Sequence, residues 1–211
     1  MLHCPDPGTG RRARPLPADE RRTALIRATL PLVREHGIDV STRQIAAAAG
    51  VAEGTIFRVF RDKDSLIRAT LEAAFHPAPV VAQLERIEPS APLDERLTAS
   101  VRIVQAWLTT VIHLMTVLRA GDAAQAKRQL RGKRRRADLI GRALTRLIEP
   151  DRGRLTVPPA QVARLLRLLM FAGSHPIIAE GRLLSAEEIV GVILDGVRNH
   201  AGPRPGRQPP C

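Results

Sequence analysis

STRQIAAAAGVAEGTIFRVFRDKDSL, residues 41–66, is the stretch that decides the fold. Ser41 and Gln44 stand three apart, as in a capping box: the serine oxygen accepts the Gln44 amide hydrogen, and the glutamine side chain accepts from the Ser41 amide. A helix is expected to begin at Thr42. It takes in Ile45 and four alanines, strong helix formers small enough to let another helix approach closely. It then meets Gly50, which admits a left-handed turn. A second short helix, after Val51, turns Ile56 and Phe60 toward a core at i and i+4. Thr55, Phe57, Arg58 and Val59 fall on its other sides. This is the outline of a helix-turn-helix, whose second helix enters the major groove of DNA.

On the amino-terminal side, Asp19 and Glu20 favour the start of a helix, with Ile26, Leu30 and Val33 as its inward face and Gly37 as its stop. Ile38 is the apolar residue expected after a glycine C-cap, and Val40 leads into the motif. On the carboxy-terminal side, Asp62 or a neighbour caps a further helix with Leu66, Ile67, Thr70, Leu71 and Ala74 inward, ending near Phe75. Residues 1–17, rich in proline, glycine and arginine, read as a flexible basic arm, in which Arg11, Arg12 and Arg14 are able to reach a DNA groove. Prolines at 77, 79, 89 and 92 mark a connection in which residues 80–87 have room for a short helix.

The pattern then changes. Leu93, Leu97, Val101, Val104, Leu108, Val111, Met115 and Leu118 repeat at steps of four and three along one long helix. Gly121 and Asp122 break it, a short helix is expected over 123–130, and Ile140, Leu144, Leu147 and Ile148 form the inward face of another. Residues 150–159 read as a loop. A helix with Val162, Leu165, Leu166, Leu169 and Phe171 follows and stops around Ser174, His175 and Pro176. The last helix has its own capping box, Ser185 with Glu188, and runs through Ile189, Val192, Ile193 and Val197. The tail, 202–211, is too rich in proline and glycine to pack. No segment reads as a strand, so the expected fold is all-α. The expected organisation is a DNA-binding domain over 18–75 and a larger helical domain over 76–201.

The 211 residues carry a net charge of +12 and a pI near 11.4, which favours an anionic partner, nucleic acid first. Only Lys63, Lys127 and Lys133 are lysines, and alanine and proline are abundant, so much of the arginine richness reflects a GC-rich coding bias. Cys4 and Cys211, at opposite ends, form no disulfide framework, and the apolar run of a signal peptide is missing from the start. A reducing cytoplasm is the expected home. The uncharged run 103–118 is short for a bilayer span and reads as a buried helix. Between Arg119 and Arg154, twelve basic side chains face four acids, a net of +8. A solvated face, an operator-attracting patch around Arg131 to Arg136, and a site for an anionic ligand all fit that run.

The pattern GxxxxSTRQIAxxAGVAxGTIFRVFxDKDSL, flanked by helices and followed by an all-helical remainder, resembles the TetR/AcrR family of one-component bacterial regulators. The resemblance is specific over residues 19–75. Beyond them it rests on length, helical layout and the ending HPIIAEGRLLSAEEIVGVILDGV. It implies a homodimer with an amino-terminal DNA-binding domain and a carboxy-terminal domain for dimerisation and small-molecule sensing. Carried over by position, Thr42, Arg43, Gln44, Gly54, Thr55, Phe57, Arg58 and Lys63 are the expected DNA contacts. Three positions depart from the pattern. Ala52 stands where a capping serine is usual, Phe57 where tyrosine is usual, and Val59 where histidine is common. Arg58 is then the expected specificity residue, since arginine to guanine O6 and N7 is the commonest specific base contact. Glu53 faces the same surface and would repel phosphate, unless it accepts from cytosine N4 or serves the helix dipole; the dipole is its expected role.

For the second domain, Trp107, His113, Met115, Met170, Phe171 and His175 are the candidates to line an apolar effector pocket, although methionines and aromatics at helical spacing are more often core. The last two helices are expected to build a four-helix dimer interface from Val162, Leu166, Leu169, Ile189, Gly191, Ile193, Gly196 and Val197, the glycines allowing close approach. The histidines lack metal-ligand spacing, and neither a glycine-rich phosphate loop nor a nucleophile elbow is present. No enzyme, cofactor, metal or membrane role is expected. The resulting expectation is a ligand-responsive transcriptional regulator, most often a repressor in this family, that binds a palindromic double-stranded operator. An architectural DNA-binding protein or an activator without a ligand is the alternative, as is a helical interaction or enzyme module with a vestigial motif.

Overall fold

The computed structural model describes residues 17–119 and 133–197. The expected arm (Pro17 aside), the break at Gly121 and Asp122, the short helix over 123–130, the tail and both cysteines lie outside the described residues. The chain forms two compact units that divide between Thr70 and Leu71, within a helix rather than at its end. Among the described residues the regular structure is helical, without a strand.

The first unit is built from α1 (Ala18–His36), a 3₁₀ turn, α2 (Thr42–Ala49), α3 (Glu53–Val59) and the start of α4 (Lys63–Phe75). α1 ends at Gly37, whose φ of 66° lies in the left-handed region. Its inward face is Leu25, Thr29 and Val33. The expected Ile26 and Leu30 are only half-buried. Thr29 occupies the core because its hydroxyl donates to the Leu25 carbonyl at 2.7 Å, leaving no unsatisfied polar group. Val40, Ile45, Ile56, Phe60, Leu66 and Ile67 complete this core, and α1, α2 and α3 pack against one another pairwise. The Arg22 guanidinium lies 4.4 Å from the centre of the Phe60 ring, a cation–π contact that covers the ring's outer face.

The second unit comprises α5 (Ala78–Leu84), α6 (Leu93–Arg119), α7 (Lys133–Ile148), a 3₁₀ segment (Glu149–Arg154), α8 (Pro159–Ser174) and α9 (Ala186–Val197). α6 is long and apolar enough to cross a bilayer by length and composition. In this fold it is a core helix, burying Leu93, Leu97, Val101, Val104 and Leu108 in a cluster with residues of α5, α7, α8 and α9. The short helix expected over 80–87 begins two residues earlier and ends at Leu84. Half of the expected 150–159 loop is the 3₁₀ segment. Leu165 and Phe171 are exposed on α8, where Leu166 and Met170 point inward. Val192 is exposed on α9, where Ile189, Val190, Ile193 and Leu194 point inward. In both helices the apolar stripe is wider than the core needs, so the sequence pattern left its centre undefined.

A buried ion pair joins the start of α6 to the 3₁₀ segment. Arg96, only 3% exposed, donates to the Leu147 carbonyl at 2.8 Å and pairs with the Asp151 carboxylate, which also receives Arg154 at 3.0 Å. Removing one partner of such a pair strands the other charge. Asp151→Ala is expected to lower stability by about 3–5 kcal/mol, measured by chemical denaturation.

Candidate nucleic-acid interface

The two helices of the motif are fixed by local chemistry. At α2 the capping box is complete: Gln44 N donates to Ser41 Oγ at 3.2 Å and Ser41 N donates to Gln44 Oε1 at 2.9 Å. Gly50 ends α2 at φ 65° and ψ 32°, and its amide donates back to the Ala46 and Ala47 carbonyls. That left-handed residue reverses the chain within two residues, and α3 starts at Glu53. Its N-cap, Ala52, supplies no side-chain acceptor. Ile45 and Ile56 have no exposed surface, so the turn is clamped from beneath by apolar burial on both helices.

α4 is capped by Asp62. Its Oδ1 accepts the Ser65 amide hydrogen at 2.7 Å, while the Asp62 amide donates to Ser65 Oγ at 3.3 Å. The Ser65 amide, and next the Arg61 side chain, hold the Asp62 carboxyl below its ordinary value of 3.8. Lys63 follows at the first helical position, and its Nζ donates to the Ile38 carbonyl at 3.1 Å. The lysine expected at a phosphate therefore also ties α4 to the segment between α1 and α2.

The other expected contact residues are displayed outward. Arg43, Gln44, Gly54, Phe57 and Arg58 are exposed, and Thr42 and Thr55 are half-buried. Phe57 is 51% exposed, so the helix holds a large apolar ring in solvent while Ile56 and Phe60 fill the core. A Cβ added at Gly54 would meet nothing within 4 Å; the packing of the protein does not require glycine there. The Thr42 hydroxyl, at the start of α2, donates to the Glu53 carboxylate at the start of α3. This tie was not foreseen from the sequence, where the expected role of the acid at the start of α3 is to serve the helix dipole.

Residues 25–70 match the family model for bacterial regulatory proteins of the tetR family. The amino-terminal unit is a tetR-family DNA-binding domain. Over 52 residues the chain is 48% identical to the HTH-type transcriptional regulator BetI of Pectobacterium carotovorum; the match covers 24% of this chain and 27% of that protein. The chain thus matches about a quarter of the length of the curated relatives. The fold likeness extends across both units. A TetR-family regulator from Mesorhizobium loti superposes with a TM-score of 0.64 at 18% identity, covering 87% of this chain and all of that one. The SmeT–triclosan complex superposes at 0.54 with 20% identity, covering 91% and 99%.

The expected sites in the second unit are placed differently from the reading of the sequence. Val162, Leu166, Ile189, Ile193 and Val197 are buried in the core of the chain itself. Leu169 is half-buried, and Gly191 and Gly196 are exposed, with open space where a Cβ would stand. The exposed apolar side chains of α8, α9 and the segment between them are Leu165, Leu168, Phe171, Ile177, Ile178, Leu183 and Val192. Of the pocket candidates, Met170 is fully buried core. Trp107 is half-buried, with its Nε1 donating to the Ala74 carbonyl at 3.0 Å. Phe171 lies against His175, ring centres 5.9 Å apart. His113 is exposed and Met115 half-buried. A cleft of about 310 Å³ at the end of α8 is lined by residues including Gly173, Ile178, Glu180, Arg182 and Leu184. Arg131 lies outside the described residues, and Lys133 to Arg136 open α7.

Because the folded-state pKa of Asp62 is depressed, its contribution to stability is present above the unfolded-state value and fades as pH falls through the folded one. Asp62→Ala is expected to lower the thermal midpoint at pH 7, with the deficit shrinking as the pH is taken below about 4. Thermal unfolding of both proteins across that range checks it.

Proposed function

We propose that the protein is a ligand-responsive transcriptional regulator. It binds a palindromic DNA operator as a homodimer in the cytoplasm and acts as a repressor that leaves the operator when a small molecule binds. The observation that carries the reading is the outward display of Arg43, Phe57 and Arg58 on a motif whose inner side chains Ile45, Ile56 and Phe60 are buried. Arg58 reads a guanine, while Thr42, Arg43, Gln44, Thr55 and Phe57 meet phosphate, sugar or base edges, and Lys63 adds positive charge at the start of α4. In a two-fold dimer the two copies of α3 sit about 34–36 Å apart, one DNA turn, and the effector acts by shifting that spacing.

The dimer face is carried by the exposed side chains of α8 and α9, Leu168 and Val192 foremost, with Gly191 and Gly196 giving room for a partner helix. The triclosan bound in SmeT supports an apolar small-molecule effector here. Trp107, His113, Met115, Phe171 and His175 remain the polar and apolar candidates to meet it. A dimer with a single-stripe interface is sensitive to one charge, so Val192→Glu is expected to give a monomer in sedimentation at micromolar concentration, with a steep loss of operator affinity.

Gly54 separates DNA binding from folding. Alanine at this exposed helical position should raise stability by about 0.5–1 kcal/mol, because nothing in the protein meets the new Cβ. The same methyl stands where the backbone approaches DNA. Gly54→Ala is expected to unfold at a higher temperature yet bind a selected operator duplex more weakly; equal affinity would remove α3 from the DNA contact.

A further inference from the structure

The contact between Thr42 and Glu53 joins the first residue of α2 to the first residue of α3. A threonine hydroxyl has one hydrogen, and here it goes to a carboxylate. While that bond stands, the hydroxyl has no hydrogen to give a phosphate. Glu53 is exposed and shares a helix face with Phe57, four residues on. It therefore brings a negative charge to the surface that carries Arg43, Phe57 and Arg58. With Ala52 as N-cap, the carboxylate is also the acidic group at the start of a recognition helix, the end that reaches base edges in this kind of motif.

Resting on the DNA-binding reading above, we propose that Glu53 is a specificity-determining residue that works by exchanging hydrogen-bond donors. In the free protein its carboxylate holds the Thr42 hydroxyl. On the operator, the 4-amino group of a cytosine, a donor that glutamate accepts in the major groove, takes the hydroxyl's place. The Thr42 hydroxyl then turns to a phosphate. Both groups end with one hydrogen-bond partner each. On DNA without cytosine at that position the exchange has no donor. Glu53 keeps Thr42, one phosphate contact is missing, and the carboxylate repels the backbone that non-specific binding depends on. A single acid thereby strengthens the contrast between operator and bulk DNA without strengthening binding overall.

The test uses the full-length protein, a selected operator duplex and a scrambled duplex, with binding followed by fluorescence anisotropy over a range of salt. Thermal unfolding confirms that each variant is folded. Glu53→Gln keeps an acceptor for Thr42 and removes the charge. It is expected to bind scrambled DNA roughly three- to tenfold more tightly, with a salt slope steeper by up to about one unit, and to relax the preference for one cytosine in each half-site toward adenine, because the amide both donates and accepts. Thr42→Val keeps the charge and removes the hydroxyl. It is expected to weaken operator binding several-fold while leaving scrambled DNA unchanged. Unchanged sequence preference in Glu53→Gln, or equal loss on both duplexes in Thr42→Val, would overturn the proposal. If the wild-type protein does not separate the two duplexes, the DNA-binding reading itself fails, a result distinct from either.

Discussion

Everything the amino-terminal unit presents to solvent depends on one left-handed residue. Gly50, at φ 65°, turns the chain so that α3 leaves α2 at a sharp angle while Ile45 and Ile56 both stay buried. A residue with a side chain would oppose that backbone conformation. An extended residue would carry α3 away from α1 and uncover Ile56 and Phe60. The capping box at Ser41 and the Asp62–Ser65 cap then fix where the neighbouring helices begin. The exposed surface of Arg43, Phe57 and Arg58 is a consequence of these few local bonds.

In the second unit, order comes from burial rather than from turns. α6 supplies a central apolar stripe against which α5, α7, α8 and α9 assemble, and the Arg96–Asp151 pair with the Leu147 carbonyl pins the 3₁₀ segment to it. Having filled that core, α8 and α9 still carry Leu168 and Val192 in solvent, 57% and 67% exposed. An apolar surplus on adjacent helices is the physical basis for proposing a second copy of the chain as its cover.

The fold and the motif were legible where chemistry is local. Capping boxes at Ser41 and Ser185, the turns at Gly37 and Gly50, and the long stripe of α6 are written in neighbouring residues, and the structure shows each of them. What was not legible is rotational or non-local. A helix with apolar residues on more than one side does not say which side is inward. Leu25 and Thr29 took the place of Ile26 and Leu30, and five residues expected at a dimer interface belong to the core of their own chain. The Thr42–Glu53 and Lys63–Ile38 bonds join residues 11 and 25 positions apart, and no spacing rule signals them.

The proposed regulator reads a two-fold DNA site with two copies of α3. Selection of bound duplexes from a random-sequence library by the full-length protein, followed by sequencing, measures it most directly. An inverted repeat whose half-sites are centred about 10 base pairs apart, or a multiple of that, with guanine at a fixed place in each, is expected to be enriched. Enrichment of no motif, or of one without two-fold symmetry, would contradict it.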